Sequence, residues 1–261
     1  MEIRPIVSAM LRNKTGVILI ATQIALTLAI LANALYVVRD RTNEANRASG
    51  LDDANVFMLA VLDKNSENVF ANQHRDLDTL RALPGVANAS WTSQMPLSQS
   101  GSNNGVQTDP KQTDSVATPA VYVTDDAFID TLGLKLIAGR GFRPDEILEV
   151  NENVENAAKP KSVIVTRDLA KILYPNDSQY LGKPVYQGRG SSPLTIIGVV
   201  ETLVTPWGRA SWNGGQSGSE SMILPSRLSQ PYHIYAVRTQ PGQRERVMKD
   251  AEKALLSLVP G

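Results

Sequence analysis

From Thr15 to Val38 the chain reads TGVILIATQIALTLAILANALYVV, 24 residues without a charged side chain. As a helix rising about 1.5 Å per residue this stretch reaches roughly 36 Å, enough to cross a hydrocarbon core about 30 Å thick. A secretory signal has an apolar region of only about 7 to 15 residues. Ala32-Asn33-Ala34 has the small-x-small form of a cleavage site, so a removed signal stays open. The apolar run continues through Leu35, Tyr36, Val37 and Val38, however, and this favours a retained transmembrane helix over 15–38. Its polar members, Thr15, Thr22, Gln23, Thr27 and Asn33, are uncharged and either bond back to the helix or face other helices. Before it, residues 1–14 are expected to form a cytoplasmic interfacial segment with Ile3, Ile6, Val7 and Met10 opposite Arg4, Arg12 and Lys14; a frayed terminus fits equally well. After it, residues 39–53 read as a polar stalk that continues the helix towards Gly50, with a loose linker as the alternative.

Beyond the stalk the pattern changes period. NVFMLAVL, residues 55–62, is a nearly continuous apolar run and predicts a strand covered on both faces. In QHRDLDTLRALPG, Leu77, Leu80 and Leu83 recur at helical spacing until Pro84-Gly85 stops the helix, and VANASW resumes as a strand. Strand, helix and strand make a βαβ or split βαβ unit. Residues 95–119, rich in Ser, Gly, Asn, Thr and Asp, can bury no face and predict a loop or a thin hairpin.

Two similar phrases follow, VYVTDDAFIDTLG and VIVTRDLAKILYP. Each predicts a short β-branched strand running into a threonine and then a helix, with Thr124 and Thr166 as N-caps. Asp125 and Asp126 would face the positive end of the first helix, which Gly133 closes; Tyr174-Pro175 closes the second. LTIIGVVETL predicts a buried strand, SMILPS and HIYAVRT a hairpin, and the final segment a helix with Val247, Ala251, Leu255 and Leu258 on one stripe. A strand pair and a helix without a closing strand suggest that the natural domain extends beyond this chain.

Composition narrows the function. The charge is balanced, 26 Lys and Arg against 26 Asp and Glu, which leaves no basic footprint for nucleic acid. There is no cysteine, hence no disulfide framework and no Cys-ligated metal. The two histidines, His74 and His233, are far apart, so a metal site or catalytic dyad has little support. LGKP lacks the rest of a P-loop, GRGSSP precedes a strand instead of following one, and no G-x-S-x-G occurs. No catalytic residue, cofactor or metal is therefore expected. Trp207 and Trp212 stand in a glycine-rich loop, where large aromatics either wedge into the fold or wait for a substrate or partner.

At GLKLIAGRGFRPDE, SVIVTRDLAKILYPNDSQYLGKPV and LTIIGVVETL the chain resembles the MacB-like periplasmic core domain of ABC transporter permeases. LRNKTGVILIATQIALTLAI is similar to the first transmembrane helix of the FtsX-like permease group. The resemblance implies an α+β fold: one N-terminal transmembrane helix, then a two-lobed periplasmic domain over 54–261. Its porter-like βαβ lobe would cover about 54–115 and 220–261, and its inserted mixed α/β lobe about 116–219. It also implies a non-catalytic permease subunit in the bacterial inner membrane. The partners implied are a separate cytosolic ABC ATPase, a second permease copy and a periplasmic adaptor. Basic residues flanking the helix tie, Arg4, Arg12 and Lys14 against Arg39, Arg41 and Arg47, so orientation leans on the more than 200 residues that follow it. A singly anchored periplasmic binding or assembly module is the alternative.

Overall fold

The computed structural model describes residues 14–45, 49–62, 68–151, 154, 157–188, 191–208 and 218–258. The chain divides into two units, residues 1–47 and residues 48–261.

The first unit is the helix α1 (Lys14–Ala45), 32 residues long. Its segment Lys14–Thr42 is long and apolar enough to cross a membrane. Thr22 and Thr27 donate their hydroxyls to the carbonyls of Ile18 and Gln23, both at 2.8 Å, which satisfies these groups within the helix as a hydrocarbon setting requires. Helical geometry persists into the stalk as far as Ala45; the expected interfacial segment lies outside the described residues.

The second unit is built on one mixed sheet. In chain order its elements are β1 (Val56–Leu62), α2 (Val69–Ala82), β2 (Val86–Thr92), β3 (Ala120–Thr124), α3 (Phe128–Leu132), β4 (Leu136–Gly139), β5 (Leu148–Val150), β6 (Ser162–Thr166), α4 (Arg167–Leu173), β7 (Pro184–Val185), β8 (Leu194–Val200), β9 (Ser221–Leu228), β10 (Tyr232–Thr239) and α5 (Arg244–Leu258). The strand order is β1-β10-β2-β3-β9-β6-β8-β4, with β5 against β9 and β7 against β8.

Side-chain alternation assigns each strand face to a layer. Ala120, Tyr122, Ile164, Ile223 and Ala236 join α3 in one cluster, with Phe128 and Leu132 as its helical contribution. On the other face α4 covers Val163, Val165, Ile196 and Leu224, while α2 and α5 cover Phe57, Ala89, Trp91, Tyr235 and Val237. The stripe Val247, Ala251, Leu255 is buried as the periodicity predicts, with Leu258 packed at its end.

Three expectations are corrected. β9 and β10 are not a hairpin: β9 lies between β3 and β6, and β10 between β1 and β2. Pro225 fits there because β6 pairs with β9 only at Met222 and Ile223, so its missing N–H falls beyond that ladder. β1 is not covered on both faces but is the sheet edge, with Met58 and Leu62 exposed. Thr124 is not an N-cap: α3 starts four residues later, and Ala127 holds the cap position. Thr166 does cap α4, accepting from the Leu169 N–H at 3.4 Å.

Candidate functional site at the seam between β2 and β3

β1, β10 and β2 are bonded along their length, with Val56–Leu62 opposite Arg238–Tyr232 in the first ladder. β3 is equally continuous with β9, residue for residue from Ala120 opposite Ser221 to Thr124 opposite Pro225. Between β2 and β3 the ladder has a single pair, Thr92 opposite Thr124. It is flanked by the bonds Ser93 N–H to Val123 O at 2.9 Å and Asp125 N–H to Trp91 O at 3.4 Å, so the two threonines form a pair without mutual hydrogen bonds, the close type in an antiparallel ladder.

The two faces of this seam differ. One is filled: the cluster around α3 contains Val56 and Ala236 from one side and Tyr122, Ile164 and Ile223 from the other. Tyr122 is fully buried and donates to the Val204 carbonyl at 2.7 Å; burial pushes its phenol well above the ordinary tyrosine range. On the opposite face α4 and α2 cover separate clusters, and half-buried Val123 packs against both.

Asp125 joins what the short ladder leaves apart. It is 1% exposed. Its Oδ1 accepts from Ser90 Oγ at 2.6 Å and the Ala127 N–H at 3.1 Å; its Oδ2 accepts from the Trp91 N–H at 3.1 Å and Arg227 Nη2 at 3.2 Å. Arg81 Nη2 stands 3.7 Å away and also donates to the Ala89 carbonyl at 2.7 Å. A carboxylate with both oxygens doubly engaged and a guanidinium beside it is a strut and not a base. Beyond Arg227, His74 Nε2 donates to Glu149 Oε1 at 2.7 Å, and Arg227 Nη1 stands 3.3 Å from that same nitrogen and 4.0 Å from Glu149 Oε1. A neighbouring polar group comes from α2 and β10: Tyr235 donates to Asp76 Oδ2 at 3.0 Å. His233 Nε2 lies 2.7 Å from the Gln230 carbonyl, which can only accept, so this nitrogen carries a proton. The histidines are thus a surface group and a satisfied core group.

Trp207 is half-buried and packs against the α3 cluster; Trp212 lies outside the described residues. The Trp207 loop is met by a strained turn: Leu97 and Gln99 have φ of 58° and 61°, and the Gln99 N–H donates to the Pro206 carbonyl at 2.9 Å. Sequence reading missed Asp125, Arg227, Trp91 and this turn. For Asp125 it saw only the helix dipole, because no local pattern shows a partner on a distant strand.

The family model for the MacB-like periplasmic core domain covers residues 16–254, and the chain belongs to that family, a permease-type domain of ABC transporters. Among solved structures, the periplasmic region of MacB from Actinobacillus actinomycetemcomitans is 17% identical, with 83% of this chain and 89% of that one covered and a TM-score of 0.49. The extracellular domain of the noncanonic ABC-type transporter YknZ from Gram-positive bacteria is 16% identical, with 78% and 94% covered and a TM-score of 0.48. The comparison with curated proteins gave no match.

Proposed function

We propose that this chain is the N-terminal part of a permease subunit that couples ATP hydrolysis by a separate cytosolic ABC ATPase to export or mechanical work outside the membrane. α1 would be a working transmembrane helix and the domain would lie in the periplasm. A second permease copy and a periplasmic adaptor would complete the assembly. The observation that carries this reading is that one family match, over residues 16–254, takes in most of the apolar helix and every strand of the sheet. The domain would divide into two lobes that meet at the β2–β3 seam, where a single residue pair, the Asp125 strut and the α3 cluster resist opening. Placing the lobe boundary there moves β9 to the inserted lobe, because β9 is bonded to β3, β5 and β6.

The test is a reversible lock. With no native cysteine present, Thr92→Cys with Thr124→Cys introduces one pair, placed where Cα atoms are about 4.5 Å apart, within reach of a disulfide. In the assembled complex, oxidation should stop transport or uncouple it from ATP hydrolysis, and reductant should restore it. Failure of the full-length subunit to copurify with any ABC ATPase would instead favour the singly anchored binding or assembly module.

A further inference from the structure

The open face of the seam holds a groove made of two adjoining hollows, about 550 Å³ and 560 Å³ in volume. They share Asn104, Val123, Leu224 and Leu228. Val123 of β3 lies opposite Leu224 of β9 in register, and Leu228 is four residues further along β9, about 13 Å at the strand rise of roughly 3.3 Å. The floor is thus an apolar track about four extended residues long. Its walls mix amides and hydroxyls with apolar side chains, Val150, Val154, Pro160 and Leu194 among them, and Lys159 is the one charged side chain among the described lining residues.

Three polar side-chain atoms on this lining have no partner, Gln94 Nε2, Ser191 Oγ and Ser226 Oγ, and two of them belong to almost fully buried residues. Gln94 is 1% exposed, and its Oε1 is held by the Ser102 N–H at 2.6 Å, which leaves Nε2 as the unsatisfied end. Ser226 is 3% exposed with its Oγ unsatisfied. Buried donors without acceptors are rare because the lost water bonds are not replaced, and each calls for an explanation. Gln94 lines one hollow and Ser226 the other.

We propose that this groove binds an extended polypeptide segment with small, uncharged side chains, supplied by another molecule. Such a segment places alternate side chains on one face, to lie on Val123, Leu224 and Leu228, and carries carbonyls along its edges to accept from Gln94 Nε2 and Ser226 Oγ. An acyl chain would press hydrocarbon against these unpaired donors. Among the described lining residues a strongly charged segment would meet one charge, Lys159.

Binding belongs to this chain alone, so it is read without nucleotide or ATPase, and its failure leaves the coupling reading untouched. The probe is a fluorescein-labelled, end-blocked hexapeptide alternating Val and Ser, titrated by anisotropy onto the full chain in lipid nanodiscs. Saturable binding is expected, at least tenfold weaker for the hexapeptide with Ser replaced by Glu, and not displaced by laurate. Ser226→Ala removes a hydroxyl that bonds to nothing, so it should leave melting unchanged and weaken binding at least threefold. Gln94→Glu keeps the acceptor for Ser102 and should weaken it at least tenfold. A photo-crosslinking side chain at exposed Ser192 should capture the peptide, and one at Leu256 on α5 should not. Absence of saturable binding, displacement by laurate, or both variants binding like the unaltered chain without capture at Ser192 would overturn the proposal.

Discussion

Asp125 Oδ2 sits 3.2 Å from Arg227 Nη2, two residues 102 positions apart in sequence that meet beside the narrowest point of the sheet. Both are buried, so removing one strands the other's charge. Asp125→Ala is expected to destabilise the chain by about 3–5 kcal/mol, whereas Asp125→Ala combined with Arg227→Met should cost less than the sum of the single changes. Urea midpoints of the four proteins check this; additive losses would mean that the pair does not act as one strut.

The positive-φ glycines should rank by surroundings. At Gly139, φ +73°, an added Cβ would come 2.1 Å from the Ile197 carbonyl. Gly133, φ +72°, would meet the flexible end of Arg238 at 3.2 Å, and Gly182, φ +80°, nothing within 4 Å. Gly182→Ala should cost about 1 kcal/mol, the backbone penalty alone. Gly133→Ala should cost slightly more. Gly139→Ala should cost the most, since backbone must move. Thermal melts of the three variants give the order.

Trp207 and Trp91 separate wedging from contact. Trp91 is 1% exposed in the α2–α5 cluster, and Trp91→Ala should cost about 3–5 kcal/mol. Half-buried Trp207 should cost roughly half as much when changed to Ala, scaling with the apolar area lost. A Trp207→Ala variant that melts normally but transports poorly would mark a contact site instead.

Acid should act partly through Glu146. Arg140 bonds it at 2.6 and 2.7 Å, and that bond together with the Arg143 N–H holds the carboxyl down at about 2. A lowered carboxyl pKa stabilises the fold above the unfolded value near 4.3 and loses that contribution as pH falls towards about 2. Glu146→Gln should therefore flatten the melting temperature between roughly pH 5 and pH 2 without altering its slope near pH 7. An unchanged acid limb would remove Glu146 from the account.

Gln99 is exposed and left-handed, φ 61°, so its side chain brings strain and little packing. Gln99→Gly should be neutral or stabilising by up to about 1 kcal/mol, the relief being offset by the entropy that glycine adds to the unfolded chain. A clear loss of stability, read by urea titration, would show that the side chain contributes contacts of its own.

Features governed by neighbours a few residues away were legible without coordinates. The length of the apolar run determined α1, Gly133 the left-handed end of α3, Thr166 the cap of α4, and the three-to-four spacing the buried stripe of α5. Each depends on helix geometry over one or two turns, which residue types report directly. Strand partners carry no such local mark, so VFMLAVL read the same whether it lay inside the sheet or, as β1 does, at its edge. Likewise SMILPSRL and YHIYAVRT, though adjacent in the chain, pair with different neighbours. Thr124 and Thr166 occupy matching phrases, yet only Thr166 leads directly into its helix. After Thr124 the carboxylate of Asp125 turns instead to Ser90, Trp91 and Arg227, because folding brings a buried cation there. Short-range sterics thus determined the elements, while the seam, its strut and its groove came from long-range pairing, whose stabilisation exists only once distant segments exclude water together.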